Sequence, residues 1–298
     1  MHGRFCFILF SSAQLITLRR SHVFMRDPDN VRKIIKKIRK DGARKLQIVT
    51  DFDQTLTKQH VAGKQLRSSF GIFYKCKQIP EEIEAEARSL YNIYRQMELD
   101  PDLKEELKMK AMEDWMIETQ KLLQGLFFNA SELHDVAKIY GTDLRDGTKK
   151  LLKRLEAADV PVLVFSAGLG DVVEHILKYR GVYLSNLKII SNFLKLKDNK
   201  IEGFKNDPLI HMLNKNEHAV DKEYFKVLEG RNNVILLGDQ TGDATMADGV
   251  NDCEAILKIG FLYENEKERL PGHLESFDIV LVDDQSMDVI NEILDATL

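Results

Sequence analysis

Three short apolar segments, each followed closely by a polar side chain, restrict the fold of this chain more than any other feature. The segments Leu46–Thr50, 161–165 and 233–237 precede Asp51, Ser166 and Asp239, respectively. Continuous apolar runs of this length predict strands that are buried on both faces, as in a parallel sheet. The carboxyl ends of such strands open into the crevice where α/β proteins bind ligands. We therefore predict a parallel sheet with a site formed by these polar groups.

The rest of the chain alternates helical and strand patterns, which predicts an α/β core covered by helices on both faces. We predict helices at 29–41, 146–157, 171–180, 220–229 and 286–296, and further strands at 187–191, 255–260 and 278–282. The segment 59–140 has no obvious β pattern and is too long for a plain loop. We predict that it forms a helical cap over the crevice.

Two carboxylates, Asp51 and Asp53, follow the first strand with one residue between them. Carboxylates this close repel each other unless a cation or a strong hydrogen-bond network lies between them. A hard cation such as Mg2+ suits oxygen ligands and keeps part of its coordination sphere for a substrate phosphate. The alternative is a turn followed by a helix N-cap, where aspartate is also common. On its own, the motif leaves both interpretations open.

The polar residues that follow the strands, together with a lysine in a polar turn, occur in a characteristic order. In chain order they are Asp51, Asp53, Ser166, Lys215, Asp239 and Asp243. This order resembles the four motifs of the haloacid dehalogenase superfamily of phosphohydrolases. The resemblance implies an α/β fold of that type, with a Rossmann-like parallel sheet and a helical cap inserted after the first motif strand.

Longer phrases resemble one family of that superfamily, cytosolic 5'-nucleotidase III, also called pyrimidine 5'-nucleotidase, which has a branch that prefers 7-methylguanosine phosphate. The phrases lie at 165–171, 190–193, 209–211, 214–216, 235–239, 246–249 and 276–280. The resemblance starts at about residue 23, so we expect 1–22 to be an N-terminal extension. Residues 23–58 and 141–298 would then form the core, and 59–140 the cap.

The resemblance also implies a mechanism that suits these residue types. Asp51 would be the nucleophile that attacks phosphorus and becomes an aspartyl-phosphate. Asp53 would protonate the leaving 5'-oxygen and then act as the base on the hydrolytic water. Mg2+ would be bound by the Asp51 carboxylate, the Asp53 backbone carbonyl and Asp239. Asp243 would contribute directly or through a water molecule.

The phosphate group would be bound by three residues that the resemblance assigns. The Ser166 hydroxyl and the Ala167 amide would donate hydrogen bonds to it, and Lys215 would neutralise it as a compact point charge. Other interpretations exist, because Ser166 could instead cap the helix predicted at 171–180. Asp243 could likewise be a helix N-cap.

Selection of the base would fall to the cap, where the resemblance aligns Phe70, Glu98 and Trp115 with base-binding positions. Two aromatic faces and a carboxylate suit a flat cationic base, because stacking, cation–π attraction and charge pairing act together. The base of 7-methylguanosine has these properties, whereas cytosine is smaller and has no fixed charge. Alternatively, Trp115 packs in a core with neighbouring methionines, and Glu98 is an exposed loop acid.

Composition limits the partners and the cellular compartment. The net charge of −4 provides no general positive field for a nucleic acid polymer. The three cysteines are widely spaced and odd in number, which argues against a disulfide framework and fits a reducing, cytoplasmic location. An apolar stretch near the N-terminus is too short to span a membrane. We expect a monomer that binds a small molecule.

The resemblance implies a Mg2+-dependent 5'-nucleotidase that converts 7-methylguanosine monophosphate, CMP and other pyrimidine monophosphates to nucleoside and phosphate. One alternative is a phosphatase of the same type that acts on a non-nucleotide phosphomonoester. Another is a catalytically silent nucleotide-binding protein. Such a protein would usually have lost Asp51, Asp53 or a metal ligand, and this sequence keeps all of them.

Overall fold

The computed structural model describes residues 15–100, 102–141, 143–215, 227–248, 252–295 and 297–298. Within these residues, a seven-stranded sheet forms the centre of the molecule. Its strands are β1 (Val23–Phe24), β2 (Leu46–Thr50), β5 (Val162–Leu169), β6 (Leu187–Asn192), β9 (Asn233–Gly238), β10 (Ala255–Leu262) and β11 (Ile279–Val282). All neighbouring pairs are parallel except β1 and β11.

The strand order places β2 in the middle of the sheet. The order across the sheet is β1-β11-β10-β9-β2-β5-β6. The chain therefore adds β5 and β6 on one side of β2, and then β9, β10 and β11 on the other. All residues of β2 and β9 are buried, as their mainly apolar sequences predict. The order reverses next to β2, and this is where α/β sheets form their ligand crevice.

Among the residues that the structure describes, five helices pack around this sheet. They are α1 (Pro28–Asp41), α6 (Thr148–Ala157), α7 (Gly170–Tyr179), α8 (Glu266–Ser276) and α9 (Asp288–Leu294). Both ends of α1 are defined by capping residues. At its start the Asp27 side chain accepts a hydrogen bond from the Asn30 backbone N–H at 2.9 Å, and at its end Gly42 adopts φ 75°. The predicted helices agree within a few residues, except that α8 was not predicted. The helix predicted at 220–229 lies mostly outside the described residues.

The insert between β2 and β5 is mainly helical, as predicted. It contains a small hairpin and four helices, namely β3 (His60–Val61), β4 (Lys64–Gln65), α2 (Ser69–Phe73), α3 (Glu81–Leu99), α4 (Glu105–Leu123) and α5 (Glu132–Tyr140). The hairpin was not predicted. Helices α3 and α4 pack against each other, whereas α5 packs on α7 of the core. A second unpredicted hairpin, β7 (Leu194–Lys197) with β8 (Lys200–Phe204), contacts α4.

The described part of the predicted N-terminal extension lies on the core. The backbone N–H of Thr17 donates to the Glu292 carboxylate at 2.8 Å, and Arg20 forms an ion pair with Asp288 at 3.0 Å. Both acidic residues belong to α9. None of the helices in the described parts of the chain is long and apolar enough to cross a membrane.

Candidate active site

Asp51 and Lys215 form a buried ion pair at the carboxyl end of β2. The Asp51 backbone N–H donates to the Leu237 carbonyl at 2.9 Å, so the sheet fixes the backbone that carries the carboxylate. Lys215 Nζ donates to Asp51 Oδ1 at 2.5 Å and to Asp243 Oδ1 at 2.8 Å. Lys215 and both carboxylates are almost fully buried. The lysine therefore bridges two carboxylates, one directly after β2 and one in the segment that follows β9.

Asp51, Asp239 and Asp243 each offer a carboxylate oxygen, and these oxygens all lie within 4.8 Å of one another. Asp239 Oδ1 also accepts a hydrogen bond from the Thr55 hydroxyl at 3.3 Å. Three ionised carboxylates and one ammonium leave two uncompensated negative charges in a buried place. Such an arrangement of oxygen ligands fits a hard divalent cation.

Burial is the main influence on the pKa values of Asp51 and Asp239. It raises the pKa of Asp51 well above its usual value and that of Asp239 to about 7, and repulsion between the carboxylates adds to both shifts. The ammonium of Lys215 opposes these shifts. Burial alone would lower the pKa of Lys215, but Asp243 and Asp51 outweigh it and raise the pKa. A cation among the oxygens would favour the ionised carboxylates.

Asp243 also orders the turn after β9. Its Oδ2 accepts hydrogen bonds from the backbone N–H groups of Asp239 at 3.1 Å and Gln240 at 3.0 Å. A Cβ atom on Gly238 would lie 2.4 Å from Asp243 Cβ, so this approach requires glycine. Asp243 is not an N-cap residue, because Gln240 holds that position of the short 3-10 helix at Thr241–Thr245. Asp243 lies inside this helix, and its bond from the Gln240 N–H is a capping-box contact.

Asp53 contacts the start of the insert. Both of its carboxylate oxygens accept hydrogen bonds from Ser69, Oδ1 from the backbone N–H at 2.9 Å and Oδ2 from the hydroxyl at 2.6 Å. Burial raises the pKa of Asp53 to about 6, although the hydrogen bonds from Ser69 oppose the shift. Ser69 is not among the site residues predicted from the sequence.

The segment Ser166–Gly168 forms an irregular end of β5, which runs four residues beyond the predicted strand. Ser166 Oγ accepts a hydrogen bond from the Gly168 backbone N–H at 3.0 Å, and the Ala167 carbonyl accepts one from the Asn192 side chain at 3.1 Å. The interpretation of Ser166 as a helix cap is wrong, because α7 has Leu169 at its N-cap and no side-chain cap hydrogen bond.

One cavity of about 530 Å³ brings together every residue that was predicted for the site. The core supplies Asp51, Asp53, Ser166, Ala167, Lys215, Asp239 and Asp243, and the insert supplies Phe70, Glu98 and Trp115. The insert therefore lies over the crevice at the end of β2. The roles of these residues stay predictions, whereas their convergence is a feature of the structure.

The aromatic wall of the cavity is built from more rings than the sequence analysis identified. Trp115 stacks on Tyr94 with ring centroids 6.1 Å apart and an interplanar angle of 11°, and it meets the edge of Tyr91 at 5.9 Å. Phe70 packs against Tyr74 at 6.4 Å. Trp115 is half-buried, so it both packs within the insert and lines the cavity.

Glu98 is held by an arginine that the sequence analysis did not identify. Arg95 donates to Glu98 Oε2 at 2.6 Å, and the Glu98 side chain is only 9% exposed. Glu98 is therefore a partly buried helix residue and not an exposed loop acid. The sequence contains a signal for this wall in its helical spacing. Tyr91, Arg95 and Glu98 occupy positions i, i+4 and i+7, which lie on one face of a helix.

Comparison with known proteins gives concordant matches. Residues 54–298 match the family model described as pyrimidine 5'-nucleotidase (UMPH-1). The chain is 41% identical over 280 residues to the 7-methylguanosine phosphate-specific 5'-nucleotidase of Drosophila melanogaster, covering 93% of this chain and 88% of the relative. The Homo sapiens protein of the same name is 38% identical over 283 residues, covering 94% of each.

Solved structures give similar matches. A crystal structure of cytosolic 5'-nucleotidase IIIB bound to cytidine superposes with a TM-score of 0.90 at 40% identity, covering 94% of this chain and 95% of that chain. A substrate-bound phosphoserine phosphatase superposes with a TM-score of 0.50 at 22% identity, covering 85% and 98%. The second similarity concerns the fold alone.

Proposed function

The chain belongs to the pyrimidine 5'-nucleotidase (UMPH-1) family, and on that premise we propose the reaction that it catalyses and the residues that take part in it. Family membership confirms the predicted family and the enzyme class, a 5'-nucleotidase that hydrolyses phosphoric monoesters. The predicted haloacid dehalogenase-type α/β fold is also confirmed.

We propose that the protein hydrolyses 7-methylguanosine monophosphate and pyrimidine monophosphates such as CMP, with Mg2+, through an aspartyl-phosphate. One observation carries the proposal. The buried carboxylates of Asp51, Asp239 and Asp243 lie close together, Lys215 contacts the first and the third, and the same cavity is lined by Phe70 and Trp115. The proximity of charged groups and aromatic rings supports phosphoryl transfer beside a bound base.

In the proposed first step, an Asp51 carboxylate oxygen attacks phosphorus and the bond from phosphorus to O5' breaks. The electron pair goes to O5', which takes the proton of the Asp53 carboxyl group, and the nucleoside leaves. In the second step, Asp53 removes a proton from water while the water oxygen attacks phosphorus. The acyl phosphate bond breaks, which returns the Asp51 carboxylate and releases phosphate.

The carboxylates of Asp51 and Asp239 and the backbone carbonyl of Asp53 would bind Mg2+, with Asp243 as a direct or water-mediated ligand. The support is chemical, because the buried cluster offers oxygen donors and an excess of negative charge. When bound, the cation would neutralise these carboxylates and the negative charge of the transferring phosphoryl group.

Phosphate binding would use groups that already line the cavity. Lys215 is fully buried between Asp51 and Asp243, so its charge lies beside the proposed nucleophile. Ser166 and Ala167 lie at the irregular end of β5, on the neighbouring strand. Phosphoryl transfer depends mainly on positioning and on charge stabilisation, and these residues can supply both.

Recognition of the base would use Phe70, Trp115 and Glu98. Several relatives are named for 7-methylguanosine phosphate, and a similar structure contains cytidine, so we propose that both kinds of base are accepted. Stacking on Trp115 would suit either ring. Arg95 already neutralises much of the charge of Glu98, which weakens the advantage of a cationic base.

We further propose that 23–58 and 141–298 act as the catalytic core and 59–140 as the cap, with 1–22 as an extension. The cavity supports this division, because its two sides come from these two segments. We propose a cytoplasmic monomer, and the name of the similar cytosolic 5'-nucleotidase supports the location.

The decisive experiment measures phosphate release in Mg2+ from 7-methylguanosine monophosphate and CMP by the wild type and by Asp51→Asn. We expect Asp51→Asn to lower kcat by at least about 10³-fold on both substrates while the protein stays folded. Asp198→Asn is the matched control, because Asp198 lies in the exposed turn of the β7–β8 hairpin at φ 51°. Retained activity in Asp51→Asn would exclude the proposed mechanism. Binding of nucleotides without turnover by the wild type would favour the silent binding protein.

A further inference from the structure

Ser69 is committed to three hydrogen bonds at the junction of the insert and the core. It is the first residue of α2 and is completely buried. Its backbone N–H and its hydroxyl donate to the two carboxylate oxygens of Asp53, at 2.9 and 2.6 Å. Its hydroxyl oxygen in turn accepts from the Leu169 backbone N–H at 3.1 Å. Three separate segments of the chain therefore meet at this one side chain.

The Leu169 contact fixes the direction of the Ser69 hydroxyl. A serine hydroxyl has one proton to donate, and its oxygen accepts through its lone pairs. Because Leu169 donates to that oxygen, the Ser69 proton is directed at Asp53 Oδ2. Each Asp53 oxygen keeps a second lone-pair position for other partners. Ser69 thus fixes the carboxyl group at both oxygens without occupying all of its hydrogen-bonding capacity.

The surrounding packing preserves this arrangement. A Cβ atom on Gly168 would lie 2.0 Å from Ser69 Oγ and 2.8 Å from Asp53 Oδ2, so any side chain there would displace these groups. Capping of α2 is a separate task that belongs to Ser68, whose hydroxyl accepts from the Gly71 backbone N–H at 3.3 Å. Helix capping therefore does not explain why Ser69 is a serine.

We propose that Ser69 is a positioning residue that orients Asp53 for proton transfer to the leaving O5'. This rests on the proposed role of Asp53 as the general acid. As the bond from phosphorus to O5' breaks, the proton moves from Asp53 to O5', and the two donors of Ser69 stabilise the carboxylate that remains. Ser69 itself neither gains nor loses a proton. Because Ser69 belongs to the insert, Asp53 is oriented only while this end of the insert lies on the core.

The test compares two substrates that differ in their need for an acid. The alkoxide that leaves CMP must be protonated, whereas the nitrophenolate that leaves p-nitrophenyl phosphate is stable without a proton. We expect Ser69→Ala to lower kcat/KM for CMP by about 10- to 100-fold, part of the range for general acid catalysis, and to change it by less than about threefold for p-nitrophenyl phosphate. Ser69→Cys, with a weaker donor of similar size, should fall between the wild type and Ser69→Ala. Equal losses on both substrates, or no loss on either, would overturn the proposal.

The variant Asp53→Asn tests the proposed acid role of Asp53 separately from the proposed positioning role of Ser69. If Asp53 is the general acid, kcat/KM of this variant decreases far more for CMP than for p-nitrophenyl phosphate. Adding Ser69→Ala to Asp53→Asn should then cause no further loss on CMP, because the two residues act as one unit. Additive losses would mean that Ser69 is merely structural. An Asp53→Asn variant without leaving-group dependence would reject the role of Asp53, and the inference about Ser69 with it. Ser68→Ala controls for α2, and we expect equal and small effects on both substrates.

Discussion

The core side of the cavity and its insert side are fixed by different kinds of interaction. On the core side, Asp51 continues the hydrogen bonding of the sheet, and Asp243 accepts from two backbone N–H groups of the turn after β9. On the insert side, Trp115 is fixed by neighbouring rings, and Glu98 by an ion pair within its own helix. Backbone contacts set the positions of the proposed catalytic carboxylates, whereas side-chain contacts set those of the proposed base-binding groups.

This difference separates the two proposed tasks, phosphoryl transfer and recognition of the base. Groups tied to the sheet keep the same positions for every substrate, so changes there should reduce turnover of all substrates alike. Groups on α3 and α4 depend on side-chain packing, so changes there should alter the preference among bases. Ser69 is the exception, because it belongs to the insert but contacts a group of the core.

The largest effect should follow from removing a proposed metal ligand on the core side. We expect Asp239→Asn to lower kcat by about 10²-fold or more on every substrate, because one of three clustered carboxylates is lost. In thermal melting, Mg2+ should raise the Tm of the wild type but have much less effect on the variant. A variant that lost activity on one base only would contradict the separation of tasks.

The next effect is a loss of protein stability when Arg145, which binds the loop after Asp53, is replaced. Arg145 is buried, donates to the carbonyls of Thr55 at 2.7 Å and Gln54 at 2.5 Å, and lies 3.8 Å from the centroid of the Phe261 ring. We expect Arg145→Met to lower the free energy of unfolding by about 2–4 kcal/mol, because buried carbonyls lose their donors. Urea unfolding measures this effect. An unchanged midpoint would mean that other groups hold the loop.

Truncation of the aromatic wall should have a smaller and selective effect. We expect Trp115→Ala to lower kcat/KM for CMP and 7-methylguanosine monophosphate by the equivalent of about 1–3 kcal/mol of lost stacking. Turnover of p-nitrophenyl phosphate should change by less than about threefold, equivalent to about 0.65 kcal/mol, because its ring lacks the reach of a nucleoside. Phe127→Ala is the control, since Phe127 is an exposed aromatic residue elsewhere in the insert. Losses of equal size on all three substrates would place Trp115 in structural packing alone.

The smallest effect should come from the ion pair on α3. Arg95→Gln frees the Glu98 carboxylate, so we expect the ratio of kcat/KM for 7-methylguanosine monophosphate to that for CMP to rise by about 3- to 10-fold. Lys110→Gln, which removes an exposed cation of α4, should leave the ratio unchanged. A falling ratio would mean that Arg95 serves the cationic base in some other way.

The sequence predicts the core side of the site well, for a physical reason. A buried parallel strand is mainly apolar, and its carboxyl end leads directly to the crevice, so Asp51 and Asp239 could be located from local sequence. The extension of β5 was not predicted, because its irregular end contains a glycine that interrupts the pattern.

The insert side depends on contacts between segments that are distant in sequence. Ser69 lies 100 residues from Leu169, and no local pattern indicates their hydrogen bond. The unpredicted β7–β8 hairpin did have a local sequence signal, the pair Asp198 and Asn199. Aspartate and asparagine tolerate positive φ, and both residues adopt it in this tight hairpin turn. Helix α8 was not predicted because it contains Pro271, and proline usually interrupts a helix.

The most direct test of the account compares phosphate release by the wild-type protein from 7-methylguanosine monophosphate, CMP and ribose 5-phosphate in the presence of Mg2+. The three substrates share the phosphate ester and the sugar, and only the first two carry a base. The account predicts kcat/KM values for both nucleotides at least about tenfold above that for ribose 5-phosphate, because stacking on the insert binds the base. Equal values for all three would contradict it and would show that the insert does not select a nucleotide.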